Sequence, residues 1–225
     1  QMASIQNVKI ILQAASQMES DYYISEVLSS LLKQSNLTDA VVAEIITTTG
    51  SIESDHYKTV VLTEAMEKSG LSSTSYNRVV ESVKTIESDH YITVVLNDLL
   101  KNKLTDEALN TLLTIFPSIE SDHYKTEVIT SLLKRQDLKE EQFDKLMDAF
   151  DRMDSDHYKT EVLTNLLNNS LTPDVQTILI AATSSIESDH YITQVGKQIL
   201  KKVNLSDEAF KNLLQTMASH QSDYY

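Results

Sequence analysis

The string Ser-Asp-His-Tyr, or a close variant of it, recurs seven times, with its acid at Asp21, Asp55, Asp89, Asp122, Asp156, Asp189 and Asp223. The intervals are 34, 34, 33, 34, 33 and 34 residues. A fixed period of this length signals stacked supersecondary units in place of one globular core. Each unit is too small to bury its apolar face alone, so stacking is what the period is for.

One unit reads as two helices. In residues 89–121 the apolar positions Tyr91, Val95, Leu96, Leu99 and Leu100 trace one face of a helix with 3.6 residues per turn. The same positions hold Tyr124, Val128, Ile129, Leu132 and Leu133, then Tyr158, Val162, Leu163, Leu166 and Leu167. This is helix A. Ser88 and Asp89 are expected to cap its first turn, and the acid suits the positive end of the helix dipole. Helix B follows a short polar link, with Thr105 as its N-cap and acidic residues in its first turn. Leu104 and Leu109 stand where a hydrophobic staple would close. Links of a few residues make A and B antiparallel neighbours.

The expected architecture is all-α: an α-solenoid of six αα-hairpins, preceded by one extra helix and wound as a right-handed superhelix. Residues 1–225 form a single repeat domain, with an orphan helix B at 4–19. Repeats follow at 20–53, 54–87, 88–120, 121–154, 155–187 and 188–221, and 222–225 opens a truncated unit. Both ends carry ordinary stacking residues (Val8, Ile11 and Leu12; Phe210, Leu213, Leu214 and Met217). They lack the polar outer face of a terminal repeat. The chain is therefore expected to be an excerpt of a larger protein, with ends able to stack on one another.

Composition narrows the function. With 3 Gly and 2 Pro in 225 residues, a turn-rich β fold is excluded; with no Cys, so are disulfides and thiolate metal sites. A net charge of −14, from 33 acidic and 19 basic residues, argues against nucleic acid and for a partner with basic segments. No run of about 18 apolar residues exists, so no membrane span is expected. No Gly-rich phosphate loop, Gly-x-Ser-x-Gly elbow or Cys/His nucleophile pair occurs, and no cofactor is implied.

The 34-residue period matches tetratricopeptide repeats, but that family's Trp and Leu-Gly pattern is absent, as is the ankyrin Thr-Pro-Leu-His. From Ser20-Asp21-Tyr22-Tyr23 through each later copy, the chain instead resembles HEAT-like α-solenoid repeats with an SDYxKxxVL motif. These are found in bacterial envelope-signalling proteins, including some beside BlaR-type antirepressor metallopeptidases. The resemblance implies a bacterial accessory or sensor segment, in cytoplasm or periplasm, without catalytic function. No His-Glu-x-x-His occurs, so none of the peptidase's catalytic residues carries over.

Three ladders of side chains are candidates for function. His56, His90, His123, His157 and His190 each follow the motif Asp. Zinc needs three or four ligands within about 2.3 Å, whereas stacked helices lie about 8–10 Å apart, so no ion spans two rungs. A collective pH response and simple packing both remain open for these histidines. Tyr23, Tyr57, Tyr91, Tyr124, Tyr158 and Tyr191 lie on the apolar stripe and are expected to pack, with the hydroxyl at the edge. Ser25, Thr59, Thr93, Thr126, Thr160 and Thr193 fall off the stripe. Their hydroxyls either bond a carbonyl one turn back or line one surface.

Beside them, Glu26, Val60, Val94, Glu127, Glu161 and Gln194 vary from unit to unit. A further position alternates Ile24, Lys58, Ile92, Lys125, Lys159 and Ile192. Variation at exposed positions on a repeated scaffold is how such proteins acquire partners, and Ile92 with Val94 would expose an apolar spot. The expected function is a non-enzymatic scaffold that binds a protein or peptide along an extended acidic surface. The expected interaction residues are Glu26, Ile92, Val94, Glu127 and Glu161 with the Thr ladder. A structural spacer, a sensor segment of an envelope protein, and an end-to-end self-assembling array are the alternatives.

Overall fold

A computed structural model describes residues 5–68, 71–135, 137–168, 172–202 and 205–219. The seventh motif, at Asp223, and the expected truncated unit at 222–225 lie outside them. The described residues contain thirteen α-helices, two short 3₁₀ turns and no strand. The chain is an α-solenoid, and it divides into two compact units, Gln1–Ile115 and Phe116–Tyr225.

In the first unit the B-type helices are α1 (Ile5–Ala15), α3 (Asp39–Thr48), α5 (Ser73–Val83) and α7 (Asp106–Leu113). The A-type helices are α2 (Asp21–Leu32), α4 (Asp55–Met66) and α6 (Asp89–Leu99). Like packs on like: α2, α4 and α6 form one row, and α1, α3, α5 and α7 the other. The second unit repeats the plan. Its A row is α8 (Asp122–Arg135), α10 (Asp156–Leu166) and α12 (Asp189–Lys202), with α8 on α10 and α10 on α12. Its B row is α9 (Glu140–Asp151), α11 (Pro173–Thr183) and α13 (Asp207–Ser219), packed in the same serial way.

The apolar stripe read from the sequence is the core. Val95, Leu96, Leu99 and Leu100 have no exposed surface, and neither have Val128, Ile129, Leu132, Val162, Leu163 and Leu166. Where other A helices carry Leu or Ile, α12 carries Gly196. A Cβ built there would stand 2.6 Å from Met217 Sδ, so the methionine of α13 fills that place.

The B helices start as their sequence implies. The Thr38, Ser72, Thr105, Thr172 and Ser206 hydroxyls accept from the amides of Val41, Ser75, Ala108, Val175 and Ala209, at 3.2–3.4 Å. The A helices do not. Ser20, Ser54, Ser88 and Ser155 make no side-chain cap bond. Their carbonyls instead accept from Ile24, Lys58, Ile92 and Lys159 at 2.9–3.0 Å. The motif Asp is the first residue of the helix, and its Cβ points back past the N-terminus, away from its own turn.

That carboxylate spans the joint to the next repeat. Asp21 Oδ2 accepts from the Glu53 and Ser54 amides at 3.1 and 2.6 Å, and Asp55 Oδ2 from Glu87 and Ser88 at 3.1 and 2.9 Å. In the second unit Asp122 holds the amides of Asp154 and Ser155, and Asp156 those of Glu187 and Ser188. The expected self-cap is thus an inter-repeat clasp, and each carboxylate satisfies two donors that precede the following A helix.

The B row has a comparable joint at Asp39. Asp39, at the start of α3, accepts from the Ser72 amide at 2.9 Å, the Ser72 hydroxyl at 2.7 Å and the Ser75 hydroxyl at 2.6 Å. Burial pushes this carboxyl up, but those bonds and the Arg78 charge outweigh burial and hold it below the usual carboxylate range.

Candidate interaction surface

Along the starts of the A helices the aromatic rings form a continuous row within each unit. In the first, Tyr22 meets Tyr57 at 5.9 Å between ring centroids, and His56 meets Tyr91 at 5.9 Å. In the second, His123 meets Tyr158 at 5.8 Å and His157 meets Tyr191 at 6.1 Å. Within each motif the adjacent His and Tyr rings are 5.1–5.2 Å apart. All five histidines are exposed, and His56, His123 and His157 each also face a ring of the next repeat, where tilted or edge-on rings at these distances attract. Tyr57, Tyr91, Tyr158 and Tyr191, which take these contacts, are half-buried, so the ring packs at the joint and not in the deep core.

An acidic row runs beside the rings, two positions before each motif Asp. Glu19, Glu53 and Glu87 in the first unit and Asp154 and Glu187 in the second are exposed. None of the five forms an ion pair among the described residues. Two grooves lie between successive A-helix starts of the first unit. One of about 420 Å³ is lined by Glu19, Glu53, Tyr22 and Tyr57 among others. The next, of about 770 Å³, is lined by Glu53, Glu87, His56 and Tyr91. The acids of this row fall in the linkers that lead into the A helices, outside either helical pattern. Its signal was the Glu or Asp that recurs in step with the motif.

Several expected surface residues lie elsewhere. Ile92 is 1% exposed and so forms no apolar spot with Val94, which is exposed by itself. Thr59, Thr93, Thr126 and Thr160 are buried and Thr193 is half-buried, so the Thr ladder is not a polar row on the surface. On a lone helix that position borders the apolar stripe; in the stack it turns toward the next A helix and is covered. Nor do the buried threonines bond back along the helix: the Thr59, Thr93, Thr126 and Thr160 hydroxyls have no hydrogen-bond partner. Ser25 alone does so, donating to the Tyr22 carbonyl at 2.8 Å. Glu26, Glu127 and Glu161 are exposed as expected.

The position that alternates Ile and Lys is buried in every described copy, which corrects its reading as a surface position. Lys58 is 3% exposed, and its Nζ donates to the Thr85 carbonyl and hydroxyl, both at 2.9 Å. Lys159 Nζ donates to the Ser185 carbonyl at 2.9 Å, and Lys125 Nζ lies 3.8 Å from Asp122 Oδ1. Thr85 and Ser185 follow the C-termini of α5 and α11, where unpaired carbonyls and the negative end of the dipole favour a cation. A lysine stem fills the space of Ile, and its ammonium reaches past the core to those carbonyls.

Among the described residues no helix is long and apolar enough to cross a membrane. These features define a helical-repeat protein of the α-solenoid class. No protein-family model matches the chain, and no curated protein matches it.

Proposed function

We propose that this chain is a protein-interaction scaffold, without catalytic function, whose A-row edge binds an extended basic segment of another protein. The observation that carries this reading is the unpaired acidic row beside the ring ladder. Glu19, Glu53 and Glu87 flank two successive grooves lined by Tyr22, Tyr57, His56 and Tyr91. Carboxylates supply charge complementarity, and tyrosine faces accept a cationic side chain. The second unit offers the same pairing of Asp154 and Glu187 with Tyr158 and Tyr191. The net charge of −14 supports the same sign of partner.

The repeat also sets the spacing of the partner's charges. Neighbouring helices pack about 8–10 Å apart. A polyproline II or extended segment advances about 3.1 Å per residue, so every third residue meets a new groove. The test is anisotropy of a labelled peptide with Arg at every third position, titrated with the full chain. Binding is expected to weaken with salt, and to weaken again for the same composition with Arg at every second position. Binding that is indifferent to E53K and E87K would sink the reading, as would no binding at about 1 mM.

A further inference from the structure

The ring ladder holds one substitution that packing does not explain. The residue after the motif Asp is Tyr22 in the first repeat, and His56, His90, His123, His157 and His190 in the next five. Tyr22 meets Tyr57 at 5.9 Å with the rings 64° apart, and His56 meets Tyr91 at 5.9 Å and 57°. Either ring therefore makes the same contact with the following repeat. What the imidazole adds is a switchable charge, since histidine is the one side chain that ordinarily titrates between about pH 5 and 8.

That charge falls in the groove between the starts of α4 and α6, which His56 lines with Glu53, Asp55, Lys58, Glu87 and Tyr91. Most of these groups are already engaged. Lys58 is buried on the Thr85 carbonyl and hydroxyl, and Asp55 holds the Glu87 and Ser88 amides. On α6, Asp89 and His90 precede Tyr91, whose ring packs on His56. On α2, Asp21 holds the Glu53 and Ser54 amides, and Tyr22 packs on Tyr57. The turn after α3 brings Gly50 and Ile52, which carry no charge. The Glu53 and Glu87 carboxylates are exposed and outside any ion pair among the described residues.

We infer that His56 gates this groove by pH: the neutral ring leaves both carboxylates to a basic segment, and protonation closes the groove to it. The inference rests on the binding edge proposed above and concerns its regulation. An imidazolium repels an incoming guanidinium and draws Glu53 and Glu87 to itself. One such charge near a protein surface changes affinity by about three- to tenfold. In the second unit His123 and His157 stand on Tyr158 and Tyr191, with exposed Asp154 and Glu187 in the same row. The groove of Glu19 and Glu53 is lined by Tyr22 at the place of the histidine, so it keeps its charge in mild acid.

The probe is the labelled peptide with Arg at every third position, titrated with the full 225-residue chain at about pH 7.5 and about pH 5.5 in one ionic strength. Arg stays charged throughout, so the peptide itself does not titrate. The parent should bind about tenfold more weakly at the lower pH. H56Y should shrink that loss, and a variant with all five histidines replaced by Tyr should bind within about twofold at the two pH values. Calorimetry at about pH 6.5, in two buffers of different ionisation heat, should show protons released when the parent binds and none from the five-Tyr variant. Tyr22 already occupies this place in the fold, and thermal melts at both pH values check folding; H56Q is the second neutral replacement. Equal pH dependence in the parent and the Tyr variant would overturn the inference and leave the binding edge standing, as would binding to the parent without proton release. No binding at about pH 7.5 would remove the edge, and the inference with it.

Discussion

The Asp55 carboxylate of α4 and the Ser88 amide ahead of α6, 33 residues apart in the chain, meet at 2.9 Å across the joint between two repeats. The same oxygen also takes the Glu87 amide. A motif acid at the start of a helix therefore positions the next helix, and its loss should be felt at the joint. Hydrogen bonds to a charged group contribute about 1.5–3 kcal/mol each, less where water competes. D55A should lower the stability of the first unit by about 2 kcal/mol, and D55N, which keeps the shape and an acceptor, by about half as much. Denaturant melts followed by circular dichroism provide the check. Equal, near-zero losses would show that the clasp is incidental.

Lys58 offers a sharper comparison, because its position holds Ile in other repeats. Its ammonium is buried on the Thr85 carbonyl and hydroxyl, with no carboxylate in ion-pair range among the described residues. K58A leaves a cavity where the stem lay and an unsatisfied carbonyl, and should cost about 2–4 kcal/mol. K58M keeps the stem volume without burying a charge, and should stay within about 1 kcal/mol of the parent. Urea titrations of both variants decide it. A K58M loss as large as that of K58A would mean that the ammonium, and not the stem, carries the contribution.

The Asp39 clasp gives the first unit a pH dependence. Hydrogen bonds from Ser72 and Ser75, with the Arg78 charge, hold its carboxyl below the ordinary range against the opposing effect of burial. A lowered folded value means that the stabilisation is fully present above the unfolded value, about 3.9. It is lost as pH falls below that value and through the folded one. Stability measured from pH 7 downward should therefore decline more steeply below about pH 4 for the parent than for D39N. The two curves should converge in acid. Parallel curves would count against the clasp.

The period, the two-helix unit, the apolar stripe and the B-helix caps were legible in the chain because each is local. Leu96 and Leu99 declare a helix face by spacing, and Thr105 declares a cap by preceding an acidic turn. What the joints do was not legible, because they form between residues more than thirty positions apart. Asp55 has the same sequence signature whether it caps its own helix or clasps Ser88, and only the direction of its Cβ and the neighbour's free amides decide. Lys58 reads as surface from its charge, yet its stem has the length to fill an Ile position. Thr59 borders the stripe on a lone helix and is buried in a row. The acidic edge is legible only in part: Glu53 and Glu87 recur in step with the motif, but they sit in linkers, and they become one surface only once the linkers stack.

The buried threonines yield the last expectation, and it runs against the usual effect of altering a core. Thr59, Thr93, Thr126 and Thr160 are each almost fully buried, with hydroxyls that have no hydrogen-bond partner. An unmatched buried hydroxyl carries its desolvation cost without return, about 1–3 kcal/mol by mutational estimates. Valine has nearly the same shape and the same β-branching, so it leaves little cavity and little rotamer strain. T59V, T126V and T160V should each be neutral or stabilising by up to about 1 kcal/mol. Thr59 and Thr126 belong to different units, so the gains of that pair should add. Ser25 is the control, since its hydroxyl donates to the Tyr22 carbonyl, and S25A should be destabilising by a comparable amount. Thermal melts of the four variants in one buffer separate the cases. A loss beyond about 1 kcal/mol in T160V would mean that its hydroxyl is bonded after all, and that the ladder is a set of polar contacts between repeats.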